Sequence, residues 1–240
     1  MDDGVALCAR FGLATNRLHY CGPADAEPAL IEAVRIGRSN PAARRSLTEF
    51  EALMPYLEVI GAAHDLDPFD PEVVEAYWIG NDRLRSLGRP EFFDLLERLR
   101  ARGMPRSLAD SLRARAPERP ILTHMFHVAY VGVGNVTGHV PTNLANMEAC
   151  RISWGRIVSI EGESIRVRGP ALARGTNGLH LGPETERVLR FDAAMLPDLE
   201  VGATVGVHWG LPGIRLSPEQ RDRLEAWTVR SLAAVRAAGR

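Results

Sequence analysis

The stretch from Cys150 to Gly162, Cys-Arg-Ile-Ser-Trp-Gly-Arg-Ile-Val-Ser-Ile-Glu-Gly, marks the point at which the hydrophobic period of this chain changes. Apolar residues at alternate positions are typical of half-buried β-strands. A second stretch of this kind, Val201 to Gly210, reads Val-Gly-Ala-Thr-Val-Gly-Val-His-Trp-Gly. Ser217 and Pro218 then predict the start of a last amphipathic helix, because Ser caps helices and Pro fits their first turn. We predict short strands and one closing helix after Cys150.

Residues 1–147 carry the helical period instead. One core-facing helix is predicted from Pro41 to Ile60, where apolar residues recur at three- and four-residue steps. Further helices are predicted to begin at the cap Asp70, at Pro90, at Pro105 and at Thr142 or Asn143. The apolar run from Ile121 to Val133 fits a buried helix or a strand, and we favour the helix. The stretch from Gly169 to Pro183 is predicted to be a Gly-rich loop.

These elements predict an α+β fold in two domains. Residues 1–147 would form an α-helical domain, and residues 148–240 a small OB-like β-barrel with a C-terminal helix. Several short strands without alternating helices favour a small barrel over a parallel sheet.

Composition excludes some classes of function. The 240 residues have a formal net charge of -1 and a pI near 6.7, which argues against a nucleic-acid-binding surface. No apolar run is long enough to cross a bilayer, and the start lacks the pattern of a secretory signal. The three cysteines are widely separated and form no Cys-x-x-Cys pair. We expect a cytoplasmic protein with reduced thiols that binds neither nucleic acid nor membrane.

The two strand-rich stretches resemble the HypC/HupF family of hydrogenase-maturation chaperones. The family's opening motif is matched by Cys150, Ile152, Gly155, Ile157, Ile160 and Gly162, and its closing motif by Gly202, Val205, Val207, His208 and Gly210. Trp154 stands where the family has Pro, and Leu211-Pro212 replaces an aromatic-Ala pair. The family's cysteine is N-terminal after loss of Met, whereas Cys150 is internal. The Gly169 to Pro183 segment is an addition.

The resemblance implies a HypC-like barrel and a role in assembling an iron cofactor. Cys150 would bind the iron, which carries cyanide and carbon monoxide ligands, and His208 would assist. The partners would be another maturation protein, which supplies a second thiolate, and the hydrogenase large subunit. A soft thiolate beside an imidazole suits iron better than magnesium or calcium. The competing interpretation makes Cys150 a small buried apolar residue and His208 a hydrogen-bonded strand residue.

Two further groups are candidate metal ligands. His124 and His127 are three residues apart, so on a helix they would share a face and could bind one metal ion. Hydrogen-bonded core histidines are the competing interpretation. Cys21 follows His19 and Tyr20 in a predicted turn and is the internal candidate for the second thiolate, although a turn that ends a helix explains the same residues.

Three functions stay open at this point. The chain could be an iron carrier, a metal-dependent enzyme acting on a small molecule around His124 and His127, or an interaction module without metal. An accessory protein of maturation is favoured over a stand-alone enzyme.

Overall fold

The computed structural model describes residues 3–197 and 199–239. Within these ranges, nine helices precede a five-stranded antiparallel sheet, and a tenth helix follows it, so the fold is α+β as predicted. The helices are α1 (Gly4–Arg17), α2 (Glu27–Ile36), α3 (Pro41–Thr48), α4 (Leu53–Ala62), α5 (Pro71–Trp78), α6 (Arg89–Ala101), α7 (Arg106–Ala114), α8, α9 (Leu144–Cys150) and α10 (Pro218–Ala237). Helix α8 begins as a short α-helix, His124–Phe126, and continues as a π-helix, His127–Gly132. A 3-10 turn spans Asp82–Ser86.

The sheet is open. Its strands are β1 (Ser153–Glu161), β2 (Ser164–Gly175), β3 (Gly178–Arg190), β4 (Thr204–His208) and β5 (Leu211–Leu216), in the order β3-β2-β1-β4-β5. The described strands therefore do not close into a complete barrel: β3 and β5 are the edges and share no hydrogen-bonded pairing in the described ranges. The two edge strands come near each other without pairing. Helix α10 packs against both edge strands.

The predicted loop from Gly169 to Pro183 is instead the far half of the β2–β3 hairpin. Leu172 pairs with Leu181, and Gly175 pairs with Gly178 across the turn. The register shifts just after Pro170, where the missing N–H of proline costs no ladder hydrogen bond. A Cβ at Gly169 would lie 2.1 Å from the Trp154 carbonyl oxygen, so the glycine allows β2 to approach β1. The glycines and prolines of this hairpin interrupt the alternation of apolar residues, so the sequence did not indicate strands there.

The predicted helix from Pro41 to Ile60 is also two helices, α3 and α4. Phe50, in the break, is 1% exposed and packs into the core, which explains why it fitted the apolar stripe. Glu51 beside it turns its carboxylate to the Cys21 thiol, 3.3 Å away, and to the Gly22 amide, 3.0 Å away. The break between α3 and α4 thus places Glu51 where it holds the segment around Cys21.

Other predicted helix boundaries are confirmed. The side chain of Asp70 accepts a hydrogen bond from the Glu72 amide, as expected of a cap of α5. Asn143 caps α9 and Ser217 caps α10 in the same way. The apolar run from Ile121 to Val133 contains α8, so the preference for a helix is correct.

One buried apolar cluster joins both parts of the chain. It runs from Val5 in α1 to Val235 in α10, and it includes Cys150 and Trp154 beside residues of the helical region. A smaller cluster lies within the sheet. The boundary at residue 147 remains a prediction, but the helices and the sheet share a core. In the described ranges no helix is long and apolar enough to cross a membrane.

Candidate metal centre

Three side chains that can bind a metal ion converge where the helices meet the sheet. His124 is the first residue of α8, Cys150 is the last residue of α9, and His208 is the last residue of β4. One ligand atom from each lies within 4.8 Å of those from the others. All three residues are buried. The structure therefore brings together the two residues of the HypC-like resemblance and one histidine of the separate helical pair.

His208 has one ring nitrogen held and the other without a partner. Its Nδ1 lies 2.7 Å from the Phe11 carbonyl oxygen, and because a carbonyl only accepts, Nδ1 carries the proton and donates it. Nε2 is therefore an unprotonated acceptor; it is buried and makes no hydrogen bond of acceptable geometry among the described residues, although the Cys150 backbone lies close enough to raise the pKa of the ring. An imidazole fixed through one nitrogen to a carbonyl is the usual arrangement of a metal-binding histidine.

His124 is held on both sides. Its Nε2 lies 2.8 Å from the Cys150 carbonyl oxygen and must donate to it, so Nδ1 accepts a hydrogen bond from the Tyr77 hydroxyl at 2.8 Å. The same Nε2 is 3.6 Å from the Cys150 sulfur. His124 thus positions the thiol, and Nε2 would have to leave the carbonyl and lose its proton in order to bind a metal ion.

Burial keeps these groups uncharged at neutral pH. It lowers the pKa of His208 and of His127 to about 4. The pKa of His124 falls well below its usual range through burial and then through the neighbouring His208 and His127. Burial raises the pKa of the Cys150 thiol to about 12, although the nearby Trp209 side chain acts in the opposite direction. Neutral imidazoles need lose no charge before they bind a metal ion, whereas the thiol must release its proton.

A cavity of about 60 Å³ opens onto this cluster. It has room for a few atoms beyond a metal ion, since a water molecule needs about 10–15 Å³ of such space. Apolar and aromatic side chains form most of the remaining wall; they include Phe50, Leu53, Trp78, Val133, Val136, Val140 and Trp209. The partly exposed Tyr20 and Trp209 lie at its edge, with ring centroids 4.8 Å apart.

All five residues predicted as metal ligands line this one cavity. The His127 ring is stacked on that of His124, with centroids 6.2 Å apart and an interplanar angle of 14°. Its Nδ1 lies 3.1 Å from the Tyr56 hydroxyl, so Nε2 is the nitrogen free for another partner. Cys21 reaches the wall from the turn after α1, and its thiol donates to Glu51. His127 and Cys21 are outside the group of three that lies within ligand distance.

Local structure places each of these residues. The Thr123 side chain caps α8, and the π-helix that follows contains His127; π-helices are frequent at functional sites. Trp209 has a φ of +49°, which is unusual for a residue other than glycine, and this bend ends β4 directly after His208.

The sequence interpretation missed the groups that hold the rings. Tyr77, Tyr56 and the Phe11 carbonyl were not among the groups that the sequence predicted for a site. A buried tyrosine hydroxyl usually needs a partner, which was the available signal for Tyr77.

Fold and site together define an α+β protein with a buried donor set of one cysteine and two histidines. The chain belongs to DUF6390, a family of unknown function, whose model matches residues 1–240. Searches among curated proteins and among solved structures each find no match.

Proposed function

We propose that this chain binds one transition-metal ion, iron, and acts as a hydrogenase-maturation-like metallochaperone or scaffold. The observation that carries the proposal is the buried, unpartnered Nε2 of His208, which lies within 4.8 Å of the ligand atoms of Cys150 and His124. Burying an acceptor without a hydrogen bond costs about 1–3 kcal/mol, and a metal ion would supply the missing partner.

The donor set fits such an ion. One thiolate and two imidazoles are soft to intermediate ligands, which suit iron, zinc or copper and disfavour magnesium and calcium. Three protein donors leave at least one coordination position open toward the cavity. The apolar wall suits small uncharged or weakly solvated ligands, in keeping with iron that carries cyanide and carbon monoxide. The HypC-like resemblance favours iron among these metals.

The protein's own groups prepare the site. The Phe11 carbonyl orients His208 for binding through Nε2. For His124 to bind through Nε2, that nitrogen must leave the Cys150 carbonyl oxygen and the ring proton must move to Nδ1, which would then donate to the Tyr77 hydroxyl. Cys21, at the cavity wall, would supply the second thiolate that the resemblance assigns to a partner; because burial and the charge of Glu51 raise the pKa of its thiol to about 12, the metal ion itself would have to displace the proton to solvent. His127 would provide a further nitrogen. Delivery would be to a hydrogenase large subunit or another maturation protein, in the cytoplasm.

The test is metal analysis of protein purified without oxygen, combined with infrared spectroscopy for bound cyanide and carbon monoxide. We expect close to one iron per chain in the wild type and its loss in Cys150→Ala, because no nitrogen or oxygen ligand replaces a thiolate's soft donation. Cys8→Ala is the matched control: Cys8 is a buried cysteine in α1 outside the cavity wall. Equal iron in wild type and Cys150→Ala, or no iron in either, would contradict the proposal.

The second candidate is a metal-dependent enzyme acting on a small molecule around His124 and His127. It is favoured by the two parallel Tyr–His pairs, Tyr77 with His124 and Tyr56 with His127, which line the same cavity. Histidines held this way can exchange protons with a substrate. Such an enzyme would keep its activity in Cys150→Ala and lose it in His127→Ala, whereas the iron carrier would lose its iron in the former.

A further inference from the structure

A second buried cluster of polar residues flanks Cys150 along the chain. Arg151 lies on Glu148 through two nitrogens, with Nε 2.7 Å from Oε2 and Nη2 3.2 Å from Oε1. Arg187 of β3 reaches the same Oε1 and the Ser153 hydroxyl through Nη1, both at 3.2 Å. The side chains of Arg151, Glu148 and Arg187 are 0%, 22% and 25% exposed. Two guanidinium groups therefore share one carboxylate in a largely buried place.

One edge of Arg187 has no partner. Its Nε and Nη2 are both buried and make no hydrogen bond among the described residues, and the same is true of Arg151 Nη1. The Nε–Nη2 edge of a guanidinium carries two parallel N–H groups that match the two oxygens of a carboxylate or a phosphate. Buried charged donors without an acceptor are costly, so a free edge of this kind calls for a bound group.

Glu148 cannot fill that edge. Its Oε1 already accepts from Arg151 and Arg187, and its Oε2 accepts from Arg151 and from the Leu172 amide at 2.6 Å. These four contacts use about all the acceptor positions of a carboxylate. Two guanidinium groups face this single carboxylate, so the three side chains together carry one excess positive charge. Burial lowers the pKa of Arg187, Glu148 raises it, and Arg151 lowers it.

We infer that the Nε–Nη2 edge of Arg187 binds a small oxyanion, a phosphate or a carboxylate, beside the metal centre. Arg151 supplies the second positive charge, and Ser153 and Glu148 hold Arg187 in place. The Arg187 side chain is 25% exposed, but its Nε and Nη2 atoms are buried, so the anion reaches this edge only when neighbouring side chains move aside. Because Glu148 and Arg151 flank Cys150, a bound anion would also stabilise the segment that carries the thiol.

The inference is tested on the full chain without metal, so it stands or falls separately from the proposed function. Calorimetric titration with phosphate, acetate and chloride at constant ionic strength measures binding, and NMR follows the Arg187 Nε–H signal. We expect saturable binding of phosphate or acetate, a shift of that signal, and no saturation with chloride. The better of the two oxyanions identifies a tetrahedral or a planar ligand.

Two variants locate the site. Arg187→Lys keeps the charge but loses the two-pronged edge, and should weaken oxyanion binding about tenfold or more, the effect of losing one charge-assisted hydrogen bond. Arg190→Gln is the matched control on the same strand, since Arg190 is exposed and its guanidinium pairs with Glu163, away from the cluster. Absence of saturable binding by the wild type, measured without any variant, would overturn the inference. Unchanged binding in a folded Arg187→Lys would do so as well.

Discussion

The backbone amide of Trp209 donates a hydrogen bond to the Ala149 carbonyl oxygen at 2.6 Å. Ala149 precedes Cys150, and Trp209 follows His208, so this one bond ties the two chain segments that carry the cysteine and the histidine. It joins the end of α9 to the turn after β4 without any metal ion. The candidate metal centre is therefore preorganised by backbone.

Because of this hydrogen bond, we expect the Trp209 amide to exchange its hydrogen slowly although it lies in a turn. Hydrogen exchange of the Trp209 amide should be as slow as that of core strands, because exchange requires the tie to open. The amide of the neighbouring, exposed Gly210 is the internal comparison and should exchange much faster. Equal rates for the two amides, measured by NMR, would show that the tie does not persist in solution.

Tyr77 is predicted to be a positioning residue for His124. Tyr77→Phe removes the hydroxyl that holds Nδ1 and should cost about 1 kcal/mol of unfolding free energy. It should also weaken metal binding about 10–100-fold, as loss of a group that orients a ligand does.

Tyr130→Phe separates these two effects. The Tyr130 hydroxyl is also buried and donates to the Leu112 carbonyl oxygen, away from the cavity wall. Its loss should lower stability by a similar amount and leave the metal affinity unchanged. Denaturant unfolding measures the first effect, and metal titration measures the second. Equal metal affinities in both variants would remove Tyr77 from the site.

Stability should fall as the solution is acidified from pH 6.5 toward pH 4. The buried His127 and His208 have pKa values of about 4 in the folded chain, below the usual value of about 6.5 in an unfolded one. Between these values the unfolded state binds more protons, so acid favours unfolding. Above pH 6.5 each neutral histidine costs the folded chain no stability. As the pH falls from 6.5 to 4, each one lowers the free energy of unfolding by up to about 3 kcal/mol.

Denaturant unfolding at pH 7, 6 and 5 checks this slope above the range where most carboxylates titrate. His127→Gln removes one titrating group and should make the slope shallower, with exposed His139→Gln as the control. A wild-type stability that does not change between pH 7 and pH 5 would mean that these histidines are accessible to protons in the folded chain.

Docking of α10 is predicted to depend on Gly80. A Cβ there would lie 2.2 Å from Trp227 Cδ1, and the residue has a φ of +95°. Gly80→Ala should therefore destabilise the chain by about 1–2 kcal/mol for the left-handed backbone and by about 1–3 kcal/mol more for the clash.

Gly138→Ala provides the comparison for that variant. Gly138 has a φ of +76°, and no atom lies within 4 Å of the position that a Cβ would occupy, so the variant should show only the backbone cost. Thermal unfolding of the two variants gives the difference. If Gly138→Ala were as destabilising as Gly80→Ala, the contact with Trp227 would contribute nothing measurable.

Local signals in the sequence were enough for most helices. Asp70, Asn143 and Ser217 cap helices as predicted, because capping depends on neighbours within three residues. The break between α3 and α4 was not predictable in this way, since Phe50 continues the apolar stripe although it lies outside both helices. Whether the sheet closes depends on how α10 packs against the edge strands. The spacing of apolar residues in the sequence does not indicate this.

The candidate site shows the same limit. The spacing of His124 and His127 predicted a shared face, and their rings are stacked. The meeting of His124 with Cys150 and His208 required the packing of α8 against α9 and the end of β4, a long-range relationship that no spacing contains. The supports from Tyr77 and Phe11 come from still other helices, so only the three-dimensional structure identifies them.

The scattering of the three donors along the chain also fixes when the site can exist. During synthesis His124 and Cys150 leave the ribosome well before His208, and β4 must then pair with β1 before its histidine reaches the other two. A partly made chain holds an incomplete donor set and has little means of retaining a metal ion. Under the proposed function, a metal ion could therefore be loaded only after β4 has paired with β1.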